Sequence, residues 1–234
     1  SGGSIVLGSG SGTKTSSGDV SIYTADSGPA GVSGSIDMFS GESSHGDSGY
    51  VAINTGKARG GRGGDIDILV GAGNTGNGGD VAMLAGETSA HGKQGGSVQI
   101  SGGLGSFNTP GFDGGTGGDV MVTGGEAMGF AVDNRGGDLS LTGGAAAMAT
   151  GGSIRLQSGR SSATNSGSIT VDTADAGDAG ISGGVSINTG AATSGNSGAI
   201  SMSTGFADGG HAGGISLTVG DGSSGQAGGG SILA

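Results

Sequence analysis

Fifteen times along the chain a glycine stands two residues before an aliphatic anchor, and at fourteen of these a second aliphatic residue follows two places after the anchor. The anchors are Ile5, Val20, Ile36, Val51, Ile66, Val81, Val98, Val120, Leu139, Ile154, Ile169, Val185, Ile200, Ile215 and Ile232. Eight of the fourteen gaps between them are 15 residues, and the others are 16, 17, 19 or 22. Alternation of aliphatic, variable and aliphatic residues, as in Ile154, Arg155, Leu156, has period two and puts both aliphatics on one face of a strand. The glycines before the anchors read as corners with positive φ or no room for a Cβ: Gly3, Gly18, Gly34, Gly49, Gly64, Gly79, Gly96, Gly118, Gly137, Gly152, Gly167, Gly183, Gly198, Gly213 and Gly230. A rear glycine, such as Gly41, Gly56, Gly86, Gly159, Gly190 or Gly205, usually ends the segment.

The pattern predicts an all-β fold, a single-stranded parallel β-solenoid (β-helix) of about 15 coils of about 15 residues with a thin, flattened cross-section. Flattening is expected because the return path is built from Gly, Ala, Ser, Thr and Asn, with Ala58, Ser161, Ala192 and Ala207 at the second place after the rear glycine. Such residues supply no second half-core. The aliphatic rows must therefore pack on bare backbone or on another copy of the chain. Residues 1–234 read as one continuous array, uncapped at both ends, with enlarged loops at 101–135 where the gaps widen. Uncapped coil edges recruit other edges, which predicts end-to-end assembly into a homopolymer.

Composition narrows the alternatives. Glycine supplies 63 of 234 residues without the every-third spacing of collagen, and only two prolines occur, Pro29 and Pro110. There is no cysteine, so neither disulfides nor thiolate metal sites stabilise the chain. The net charge of −11 argues against a nucleic-acid partner, since the one basic cluster is Lys57, Arg59 and Arg62. No hydrophobic stretch suits membrane insertion.

Candidate chemistry is sparse. Asp65, Asp80, Asp119 and Asp138 precede their anchors, and in stacked coils they would form like-charge ladders that calcium could relieve. Calcium is the one cofactor considered, because His45, His91 and His211 lie in distant repeats and cannot share a metal or relay a proton. The serines have no repeating base beside them, and no phosphate loop is completed, so an enzyme is not predicted. Phe107, Phe112 and Phe130 cluster in the enlarged loops, either as a partner contact or as a cover for an aliphatic row.

Units such as Ser166, Gly167, Ser168, Ile169, Thr170, Val171, or Ser182, Gly183, Gly184, Val185, Ser186, Ile187, Asn188, Thr189, Gly190, resemble the glycine- and serine-rich repeats of surface and extracellular proteins of diatoms and related algae. The resemblance implies an extracellular or cell-surface location and a structural or adhesive role. The expected function is a structural element of a filament, coat or stalk, its partners being other copies of itself and cell-wall or surface polymers. A surface adhesin is one alternative. An ice-binding solenoid is the other, although the outward strand positions, among them Ser21, Ala52, Met121, Arg155 and Ser201, form no threonine rank.

Overall fold

The structure is a computed structural model that describes residues 2–107, 109, 113–131, 133–221 and 228–230. Among these residues there is neither helix nor strand, and the backbone is extended segments joined by bends and turns. The predicted all-β parallel solenoid is therefore not found. The physical reason lies in the sparse apolar content of each unit. Two aliphatics in some 15 residues, with a return path of small residues, bury too little to offset roughly 1–2 kcal/mol of backbone ordering per residue. Period-two alternation marks segments that favour an extended conformation, but a strand also needs a paired neighbour along its length.

No described residue is buried, and the chain exposes 23192 Å². A compact protein of 21.4 kDa would expose about 9,100 Å² and its unfolded chain about 31,000 Å². Folding of the single chain thus removes only about a quarter of the unfolded surface, where about 70% is usual at this size.

What recurs instead is a local closure. The residue four places after each anchor meets the front glycine of the next unit, so that each loop is pinched at its neck. Six closures carry a backbone hydrogen bond from the front glycine N–H to the rear carbonyl: Gly18 to Gly10 (2.9 Å), Gly96 to Gly86 (2.8 Å), Gly118 to Gly103 (2.9 Å), Gly137 to Gly125 (2.8 Å), Gly152 to Gly144 (2.8 Å) and Gly167 to Gly159 (3.0 Å). The Gly118 and Gly137 bonds close the two enlarged loops. Insertions therefore lengthen the loop while the same two positions still meet.

The two 16-residue gaps close differently from the others and like each other. The Thr24 hydroxyl donates to the Gly34 carbonyl and the Thr173 hydroxyl to the Gly183 carbonyl, each at 3.1 Å. Inside these loops Gly31 N–H bonds Gly28 O and Gly180 N–H bonds Gly177 O, forming the same tight turn twice. The sequences explain the likeness. Both loops read Thr, Ala, Asp, then Gly, Ala, Gly, then an aliphatic, Ser and Gly, from Thr24 to Gly34 and from Thr173 to Gly183.

The chain divides into two compact units, Ser1–Met121 and Val122–Ala234. The division falls between the two enlarged loops, so each unit holds one of them.

Candidate functional site

The aliphatic pairs recur at a fixed place in fourteen of the fifteen repeats, and from Val20 onward their exposure is uniform. From Val20 to Ile215 the anchors are 50–58% exposed, and the second aliphatics, from Ile22 to Leu217, are 63–77% exposed. Ile5, for which the structure shows no preceding repeat, is 99% exposed. The partial cover over each anchor therefore comes from the repeat that precedes it. That is where the closure brings the front glycine against the fourth residue after the previous anchor.

The front glycines serve this approach. A Cβ on Gly34 would lie 3.2 Å from Thr24 Cγ2, one on Gly96 3.0 Å from Gly86 N, and one on Gly152 2.9 Å from Gly144 N. Gly3, which has no preceding repeat, would meet nothing within 4 Å. Gly18, Gly49, Gly64, Gly79, Gly118, Gly137, Gly167, Gly183, Gly198, Gly213 and Gly230 all face the same part of the preceding unit. Left-handed backbone occurs elsewhere. Gly46, Gly60, Gly76, Gly92 and Gly209 carry φ values of 109°, 120°, 77°, 69° and 75°, and each lies inside a loop three or four residues before the next front glycine. Among the described residues no front glycine has positive φ.

The fourth position after the anchor is a site that the aliphatic pattern by itself does not announce. Its occupants are Ser9, Thr24, Ser40, Thr55, Val70, Ala85, Gly102, Gly124, Gly143, Ser158, Thr173, Thr189, Thr204 and Val219. None is larger than valine. That size limit, read down the repeats, was the available signal. Thr24, Ala85, Gly143 and Ser158 are half-buried, as are Ala58, Ser161 and Ala207 in the loops, which makes them some of the least exposed residues in the chain. At Ser161 the loop is organised by its hydroxyl, which accepts from the Thr164 N–H at 2.9 Å and the Ala163 N–H at 3.2 Å.

In the second unit the aliphatic rows line an open cleft of about 1110 Å³, formed by Val171, Val185, Leu217 and Val219 with Ser216, Thr218 and Gly230. Its apolar members come from three different repeats. The structure thus gathers the aliphatics of separate repeats around one space that the described residues do not fill.

Asp65 accepts from Arg62 at 2.7 Å in an ion pair whose side chains are largely exposed. Asp65, Asp80 and Asp119 belong to the first unit and Asp138 to the second. Among the described residues no group of three His, Asp or Glu side chains is arranged to hold a metal ion. Of the phenylalanines, Phe107 is half-exposed in the first unit and its carbonyl accepts from the Gly115 N–H at 3.2 Å. Phe130 is fully exposed in the second unit, and Phe112 lies outside the described residues. Among the described residues no helix is long and apolar enough to cross a membrane.

Comparison with known proteins finds no matching family model, no matching curated protein and no matching solved structure.

Proposed function

We propose that this chain is a structural protein whose working state is an assembly of many copies, as a building element of an extracellular filament, coat or stalk. One observation carries the reading: from Val20 to Leu217 the repeats present aliphatic pairs at nearly uniform exposure, and no described residue covers the half or more of each side chain that stays in water. Monomeric soluble proteins seldom leave contiguous apolar patches above a few hundred Å² uncovered. Here the apolar residues are periodic, so the surface they define can be matched by any other copy, repeat for repeat. Burying it yields roughly 25 cal/mol for each Å² of apolar area removed from water. The acidic surface, with a net charge of −11, works against indiscriminate clumping.

The site chemistry supports the same reading. The repeats spend their distinctive residues on holding loop necks together and on displaying aliphatics, both of which are mechanical tasks. Binding to cell-wall or surface polymers is a secondary contact that exposed serines and threonines would serve.

Negative-stain electron microscopy of the purified chain tests the proposal, with a variant carrying Asn at Ile22, Ile53, Ile68, Val171, Met202 and Leu217 as comparison. Ordered particles many copies long for the native chain, absent for the variant, are expected. Identical isolated molecules in both samples would remove the proposal.

A further inference from the structure

Residues 5–70 and 154–219 are two versions of one block. The anchors Ile5, Val20, Ile36, Val51 and Ile66 are spaced as Ile154, Ile169, Val185, Ile200 and Ile215 are, including the single 16-residue gap in second place. The bonding follows the spacing. The first loop of each block closes by a front glycine N–H, Gly18 to Gly10 and Gly167 to Gly159. The second closes by a threonine hydroxyl, at Thr24 and at Thr173, around the same internal turn. Exposure follows too: Val32 and Ile181, at matching places in that second loop, stand 95% and 98% exposed. The first block lies in the unit Ser1–Met121 and the second in the unit Val122–Ala234.

From this duplication we infer that each chain carries two equivalent association surfaces and binds two other copies of itself, which makes its assembly open-ended. The inference deepens the self-association proposed above and rests on it. The occupant is a second copy because the area to be covered is large. The chain's 23192 Å² exceeds that of a compact protein of its mass by about 14,000 Å². Even a large obligate interface of about 5,000 Å² removes only about 2,500 Å² from each partner. One neighbour therefore leaves most of that excess surface wet. Two similar blocks offer a second neighbour the same surface as the first, and a chain with two such surfaces has no reason to stop at a dimer.

The test uses the 234-residue chain and two variants, Ile22→Asn with Ile53→Asn and Ile68→Asn in the first block, and Val171→Asn with Met202→Asn and Leu217→Asn in the second. These positions follow the anchors and lie away from the loop necks, and Asn leaves the net charge unchanged. NMR contacts between Gly10 and Gly18 and between Gly159 and Gly167 verify that the closures persist. Analytical ultracentrifugation is expected to show native chains growing with concentration, while each variant stops at a discrete dimer and, mixed in sub-stoichiometric amount, shortens native assemblies. A block variant that polymerises as the native chain does would overturn the two-surface inference and leave self-association standing. Native chains that stay monomeric at every concentration would overturn both.

Discussion

Between Gly102 and Gly152 the loop necks close glycine on glycine, whereas in the repeats on either side a side chain fills the same place. Gly102, Gly124 and Gly143 sit four places after their anchors, and a Cβ on any of them would collide with the carbonyl oxygen of Gly118, Gly137 or Gly152. In the flanking repeats Thr24, Thr55, Thr173, Thr189 and Thr204 hold that position, and their Cβ or methyl groups lie 3.2–3.9 Å from where a Cβ on the next front glycine would sit. The same neck is thus made in two ways, by backbone contact alone or by a small side chain against backbone. Where the neck closes glycine on glycine, the front glycines Gly118, Gly137 and Gly152 are crowded as well, whereas a Cβ on Gly18, Gly64, Gly183, Gly198 or Gly213 would make only ordinary contact with the preceding side chain.

The sharpest way to break the distinction is to put a Cβ where the backbones touch. Gly143→Ala should open the neck of its loop, costing about 2 kcal/mol in local closure, within the range for forcing atoms into filled space. Loss of the NMR contacts between Gly144 and Gly152, with faster exchange of the Gly152 amide, is the expected readout. A middle effect is expected at the threonine necks. Thr173→Val keeps the shape but loses the hydroxyl bond to the Gly183 carbonyl, for about 1 kcal/mol, and Thr173→Ser should recover most of it. Equal exchange rates at the amides of this loop in the Val and Ser variants would show that methyl contact alone holds the neck.

A rear glycine should behave in the opposite sense. Gly190 has open space around it and no positive φ, so Gly190→Ala should be neutral or stabilise the extended segment by about 0.5 kcal/mol by restricting the unfolded chain. The smallest effect belongs to the surface. Asp65→Asn removes the exposed pair with Arg62 and should change local order by no more than about 0.5 kcal/mol, and by less in salt. Chemical-shift changes spreading beyond the loop from Arg62 to Asp65 would contradict that.

The repeat itself was legible from the spacing of anchors and glycines, since Gly18 to Gly10 and Gly118 to Gly103 follow the same rule despite loops of different length. Solenoid architecture was not. Alternation at Ile154, Arg155, Leu156 specifies which side of an extended segment is apolar, but it carries no term for what lies opposite. Whether backbone pairs along that segment depends on how much surface the pairing buries, and repeats with two aliphatics bury little within one chain. The closure position was legible in principle through the size limit from Ser9 to Val219. Its meaning needed the structure, because only there does the fourth residue meet the next front glycine. The acidic residues before the anchors, such as Asp80 and Asp119, gained their interest from coil stacking and lose it with the solenoid.

If the aliphatic pairs are covered by other copies and not within the chain, association must follow concentration. Sedimentation velocity of the native chain over a concentration series tests this most directly. The account predicts a sedimentation coefficient that rises continuously with concentration, and a fluorescent apolar probe that binds dilute chains and is displaced as they associate. A single monomeric species at every concentration, binding the probe equally throughout, would contradict it.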